Sequence, residues 1–222
     1  DVTLQQVEAL ESAILQSHDL SALVVSLGGI ATYPAIVTQS ADLRNSVFLA
    51  AHEWSHQYLF FHPLGMTYFE GGAMQEINET VADIMGHEIA DRIYPPAIEE
   101  PLPDGEAMAG SEAPFDFQAE MRHTRDTLDS LLSEGRIEEG EQYLEERRQV
   151  FVNEGYYIRK LNQAYFAFHG TYALSPASVS PVGEQLEELR GYYDSLGDFV
   201  RAVQEVSTHG QLLDLLAENR AD

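Results

Sequence analysis

Two histidines stand four residues apart in His52-Glu53-Trp54-Ser55-His56, and this spacing constrains the chain more than any other feature. On an α-helix, residues four apart lie one turn above each other on the same face. A helix here brings both imidazoles to one point, with Glu53 beside them. Two imidazole nitrogens can hold a Zn²⁺ ion, which lowers the pKa of water towards neutrality. A carboxylate can then take the proton from that water as it attacks a carbonyl. We therefore expect His52 and His56 as metal ligands and Glu53 as the general base. The same five residues would also suit a helix whose two histidines are simply hydrogen-bonded.

A hydrolytic zinc keeps three protein ligands and one open position. The stretch Ile77-Asn78-Glu79-Thr80-Val81-Ala82-Asp83-Ile84-Met85-Gly86 offers Glu79, with Asp83 one turn later on the same face. Asp83 can accept the free ring N–H of a ligand histidine and so fix its tautomer and orientation. Glu70 and Glu76 compete for the third ligand position. Glu79 is preferred because only it has the carboxylate partner at Asp83. Further along, Asp83, His87 and Asp91 share one helical stripe, which reads as a hydrogen-bonded surface row in preference to a second metal site.

From His52 to Gly86 these two motifs resemble those of the thermolysin-like gluzincins, whose second motif reads Asn-Glu-x-x-x-Asp-Ile-x-Gly in the same order. The resemblance implies a zinc metallopeptidase that acts on a peptide or protein substrate. Twenty-two residues separate His56 from Glu79, slightly more than is usual in that family, with the extra length around His62-Pro63-Leu64-Gly65. Only about fifty residues precede the histidine motif, too few for the large β-rich domain of full-sized members, so the expectation is a compact variant. Thermolysin-like enzymes also aim a histidine and a tyrosine from their C-terminal helical lobe at the developing oxyanion. The aromatic segment from Asn162 to Tyr172 offers His169 with Tyr165 or Tyr172 for that role. It reads equally as an aromatic core stretch with a capping histidine. The alternatives to an enzyme are a catalytically retired gluzincin that binds peptides or a partner, and an acidic helical interaction domain with a fortuitous motif.

Composition narrows the partners. The formal net charge of −25, with Lys160 as the one lysine beside eleven arginines, would repel nucleic acid and anionic membranes. The absence of cysteine rules out a disulfide, a thiolate ligand or a cysteine nucleophile. No apolar run approaches a transmembrane length. The start at Asp1, without methionine or signal peptide, gives the expectation of an excised piece, the soluble part of an exported or membrane-tethered protein.

With 44% hydrophobic residues in 222, the chain has material for one sizeable core. We expect an α+β, mainly α, zincin-like domain with a small N-terminal sheet. Residues 1–95 would form a lobe carrying the zinc helices, 96–114 a linker loop and 115–222 a C-terminal helical lobe. Within it the pattern predicts helices over residues 2–16, 43–61, 73–93, 115–133 and 137–168, then two or three shorter ones. Residues 22–27 and 30–37 read as two strands around Gly28-Gly29, with Pro34 marking an edge. Residues 30–37 are the candidate shelf on which an extended substrate would pair.

Overall fold

Asp42 ends the preceding chain in an extended conformation, and its carboxylate accepts the Arg44 amide at 2.9 Å. That cap opens a helix, α2, over Leu43–Leu59. In the computed structural model, which describes residues 2–38, 42–94 and 115–221, α2 is preceded by α1 (Leu4–His18), β1 (Gly29–Ile30) and β2 (Ile36–Val37). After it come α3 (Pro63–Met66), a 3₁₀ turn (Tyr68–Glu70) and α4 (Gly72–Ile93). Six further helices follow: α5 (Phe117–Ser133), α6 (Ile137–Asn153), α7 (Gln163–His169), α8 (Val182–Gly191), α9 (Leu196–Val203) and α10 (His209–Ala221). The expected linker at 96–114 lies outside the described residues. The described architecture is thus mainly helical, with one two-stranded antiparallel sheet.

Helix α4 is the central element. Its buried residues, from Met74 and Ile77 through Glu79, Val81 and Met85 to Ala90, cover more than one face, as a helix packed on several sides requires. One side meets α2 and another meets α8. The first approach is close at Gly86, where a Cβ would lie 2.9 Å from the Phe48 ring and 3.1 Å from its carbonyl oxygen. This glycine lets the two motif-bearing helices run against each other.

Buried side chains form two clusters. One joins Leu59, Leu64 and the α4 residues to α8, α9 and α10 through Leu186, Leu189, Phe199 and Leu212. The other lies among α5, α6 and α7 around Met121, Leu144, Phe151 and Phe166. The helices after residue 181 therefore pack on α4, whereas α5, α6 and α7 make a separate core.

Two expected elements differ. Residues 22–27 form no strand, and the hairpin arises instead within 29–37, pairing Gly29 with Val37 and Ile30 with Ile36. Pro34, which has no N–H for a ladder, falls in the turn. Side chains satisfy the backbone of the earlier segment: Glu11 accepts from the Val24 amide, Arg159 donates to Val24 oxygen, and Asn162 donates to Ala22 oxygen. The long helix expected over 137–168 is likewise divided. It stops at Asn153, ahead of Gly155 in the left-handed region at φ 91°, and a new helix starts where Asn162 accepts the Tyr165 amide.

Candidate metal centre

Helices α2 and α4 present His52, His56 and Glu79 to one point. The two Nε2 atoms lie 3.0 Å apart, and Glu79 Oε2 is 3.5 Å from the first and 3.4 Å from the second. His52 and Glu79 are buried and His56 nearly so. Each outer atom is held from behind. His52 Nδ1 is 3.0 Å from Asp83 Oδ1, near enough to pair although it lacks the alignment of a good hydrogen bond. His56 Nδ1 is 2.8 Å from Asn78 Oδ1, and Asn78 Nδ2 donates to the Leu64 carbonyl at 3.3 Å. Tyr68 donates its hydroxyl to Glu79 Oε1 at 2.5 Å.

These contacts determine what the inner atoms are. Donation from Asn78 Nδ2 to Leu64 turns the amide oxygen towards His56, and an amide oxygen only accepts. His56 therefore carries its proton on Nδ1 and points the Nε2 lone pair inward. Glu79 Oε2 is buried with no hydrogen-bond partner. Acceptors thus converge at a buried point, an arrangement that costs free energy unless a proton or a cation sits between them. Among the described residues, these three are the group of histidine and carboxylate atoms that could hold a metal ion.

The electrostatics follow. Burial would lower the His52 pKa, but Asp83 and Glu79 outweigh it and raise it to about 9. Burial would raise Glu79, yet its contacts with His52, His56 and Tyr68 hold it well below the carboxylate range. Burial raises the Glu53 carboxyl, with both histidines working against the shift. Burial and the bond to Glu79 push the Tyr68 phenol up to about 12.

The site opens into a cavity of about 630 Å³. Glu53 lines it, and Gly29 of β1 lies directly over the carboxylate: a Cβ at Gly29 would fall 2.4 Å from Glu53 Oε1. Ile30, Thr32 and Tyr33 from the expected shelf line it as well. Phe60, Phe61 and Phe69 complete an exposed aromatic rim.

Of the C-terminal aromatic residues, Tyr172 lines this cavity, with its ring 6.4 Å from that of His52. Burial, then Glu79 and Asp83, raise its pKa, so the phenol stays protonated. Tyr165 and His169 pack against each other with tilted rings, 4.2 Å between centroids, and do not line the cavity. Glu70 is exposed, and Glu76 accepts from Ser180 Oγ at 2.7 Å. The His87 ring packs tilted against Phe48, 4.4 Å between centroids, and Asp91 pairs with Arg44. Sequence reasoning missed the roles of Tyr68, Asn78 and Gly29. The position of Asn78 beside Glu79 in the second motif was the available signal; the other two depend on tertiary packing. Comparison with protein-family models, curated proteins and solved structures gives no match to this chain.

Proposed function

We propose that this protein is a zinc-dependent metallopeptidase of the gluzincin type, built on a compact zincin-like fold. The observation that carries the reading is the convergence of His52 Nε2, His56 Nε2 and the unpartnered Glu79 Oε2 at one buried point beside Glu53. Those three atoms would hold the ion and leave a position open towards the cavity. Zinc supplies a Lewis acid there, which lowers the pKa of water and polarises a carbonyl.

The chain's own residues do the rest. Glu53, its affinity for protons raised by burial, takes a proton from the attacking water and passes it to the departing amine. Tyr172, protonated and facing the cavity, donates to the oxyanion in place of the more distant His169 and Tyr165. The substrate pairs with β1. Thr38 donates to Gly28 oxygen at 2.9 Å, so residues 28 and 30 face β2 in the alternating ladder. Gly29 therefore turns its N–H and C=O to the open edge, where an extended peptide can add as a strand.

The test is metal analysis coupled to digestion of a peptide library. Wild type should hold about one zinc per chain and cleave peptides, while Glu53→Gln should keep the metal and lose cleavage. Stoichiometric metal in the His52→Ala/His56→Ala double variant would overturn the metal assignment. Zinc bound without hydrolysis would leave a peptide-binding module, for which the aromatic rim and the open strand suffice.

A further inference from the structure

Glu76 lies one turn before Glu79 on α4, but it lines a second cavity of about 320 Å³, separate from the one at the metal centre. Two oppositely charged groups share that cavity with an apolar ring. Ser180 Oγ donates to Glu76 Oε2 at 2.7 Å, and Oε1 has no hydrogen-bond partner among the described residues. In the same cavity, Arg125 engages Asp129 at 2.8 Å through Nε alone, and its guanidinium carbon sits 5.4 Å from the centre of the Phe166 ring.

Among the described residues, neither Nη atom of Arg125 has a hydrogen-bond acceptor. Every other arginine that is ion-paired here uses at least one Nη atom on its carboxylate. Gly170 keeps the Nη1 side of the Arg125 guanidinium uncovered, since a Cβ there would touch Nη1 at 3.6 Å. In a chain with 37 carboxylates and 12 cations, a half-buried guanidinium with its forked end unpaired is a group without its complement. That end matches a carboxylate through two parallel N–H donors.

A simple anion would meet Glu76, and a simple cation would meet Arg125. A zwitterion satisfies both. We propose that this cavity binds a free α-amino acid with an apolar side chain. Its carboxylate lies on the Nη edge of Arg125, its ammonium on Glu76 Oε1, and its side chain against the exposed Val179. The volume lies at the lower end of the range for small-molecule sites, roughly 300–1,000 Å³, which suits one residue. The inference stands apart from the metal reading. The two cavities still share a chain segment, because Gly170 and Thr171 line this one and Tyr172 lines the other.

The test is calorimetric titration of the full chain with L-leucine, N-acetyl-L-leucine and L-leucinamide, with and without a chelator. Leucine should bind, and both blocked compounds should bind about 10–100-fold more weakly, since each loses one charge-assisted contact. Arg125→Gln and Glu76→Gln should each weaken leucine by a similar factor, and His52→Ala should leave it unchanged. Absence of leucine binding, equal binding of the three compounds, or loss of binding on chelation or in His52→Ala would overturn the assignment. The blocked compounds test wild type directly, so the result does not depend on either variant folding.

Discussion

His56 Nδ1 donates to Asn78 Oδ1 across 2.8 Å, and the other end of the same amide donates to the Leu64 carbonyl. One buried asparagine thereby ties α2, α3 and α4 together and selects the tautomer that aims His56 at the metal point. Asn78→Ala should weaken metal binding by roughly 10–100-fold, the usual cost of losing a group that orients a ligand. It should also lower stability by about 1–3 kcal/mol, because the His56 Nδ1–H loses its acceptor in the interior, while the Leu64 oxygen keeps only the Thr67 hydroxyl. Chelator competition and thermal melts check the two effects separately. Unchanged affinity would remove Asn78 from the site.

The third ligand can be tested by comparing three glutamates. Glu79→Ala should abolish tight metal binding, while Glu70→Ala and Glu76→Ala should retain it, because the first is exposed and the second is turned to Ser180. Asp83→Ala should fall between, at roughly 10–100-fold. Metal content after dialysis gives the order, and a larger loss at Glu76 than at Glu79 would move the centre one turn along α4.

Gly29→Ala probes the contact between β1 and the proposed base. The added methyl would fall 2.4 Å from Glu53 Oε1, so the carboxylate or the strand must move. Displacement of a reacting group by about an ångström can cost ~10²-fold in rate. The variant should therefore keep its metal and lose most of its kcat for peptide hydrolysis. A wild-type kcat would show that the strand yields and that its position is not required.

The motif-bearing helices were legible because local signals set them: Asp42 as a cap and apolar periodicity within α2, and Gly71 as the residue just before α4. The grouping of His52, His56 and Glu79 was legible for the same reason, since their spacing on helices fixes their faces. Residues 22–27 were not, because their apolar run suits a strand while their backbone is satisfied by Glu11, Arg159 and Asn162, the last two more than 130 residues away. Such non-local partners leave no periodic trace. Tyr68 was missed for a related reason. Only the 3₁₀ turn packed against α4 brings its hydroxyl to Glu79, and nothing in its immediate neighbours marks it.

Glu11 provides a test of how α1 is held. It is only 1% exposed, and it is the buried residue of α1, whose Leu4, Leu10 and Leu15 remain exposed. Burial would raise its pKa, but Arg159, the Val24 amide and Lys160 outweigh that and lower it from 4.5 to about 2. A carboxyl depressed in the folded state contributes stability above its unfolded pKa. That contribution is lost as pH falls from about 4.5 towards about 2. Glu11→Gln should therefore cost about 1–3 kcal/mol at pH 7, the range for charged hydrogen bonds. The gap from wild type should shrink steadily below pH 4.5, where the carboxyl of the unfolded wild-type chain begins to take up its proton while the folded one stays charged. Urea unfolding of both proteins between pH 7 and pH 3 measures that gap directly, because acid effects on the other carboxyls are common to both. A gap that stays constant across the range would mean that Glu11 holds α1 by shape and neutral hydrogen bonding, with its charge contributing nothing.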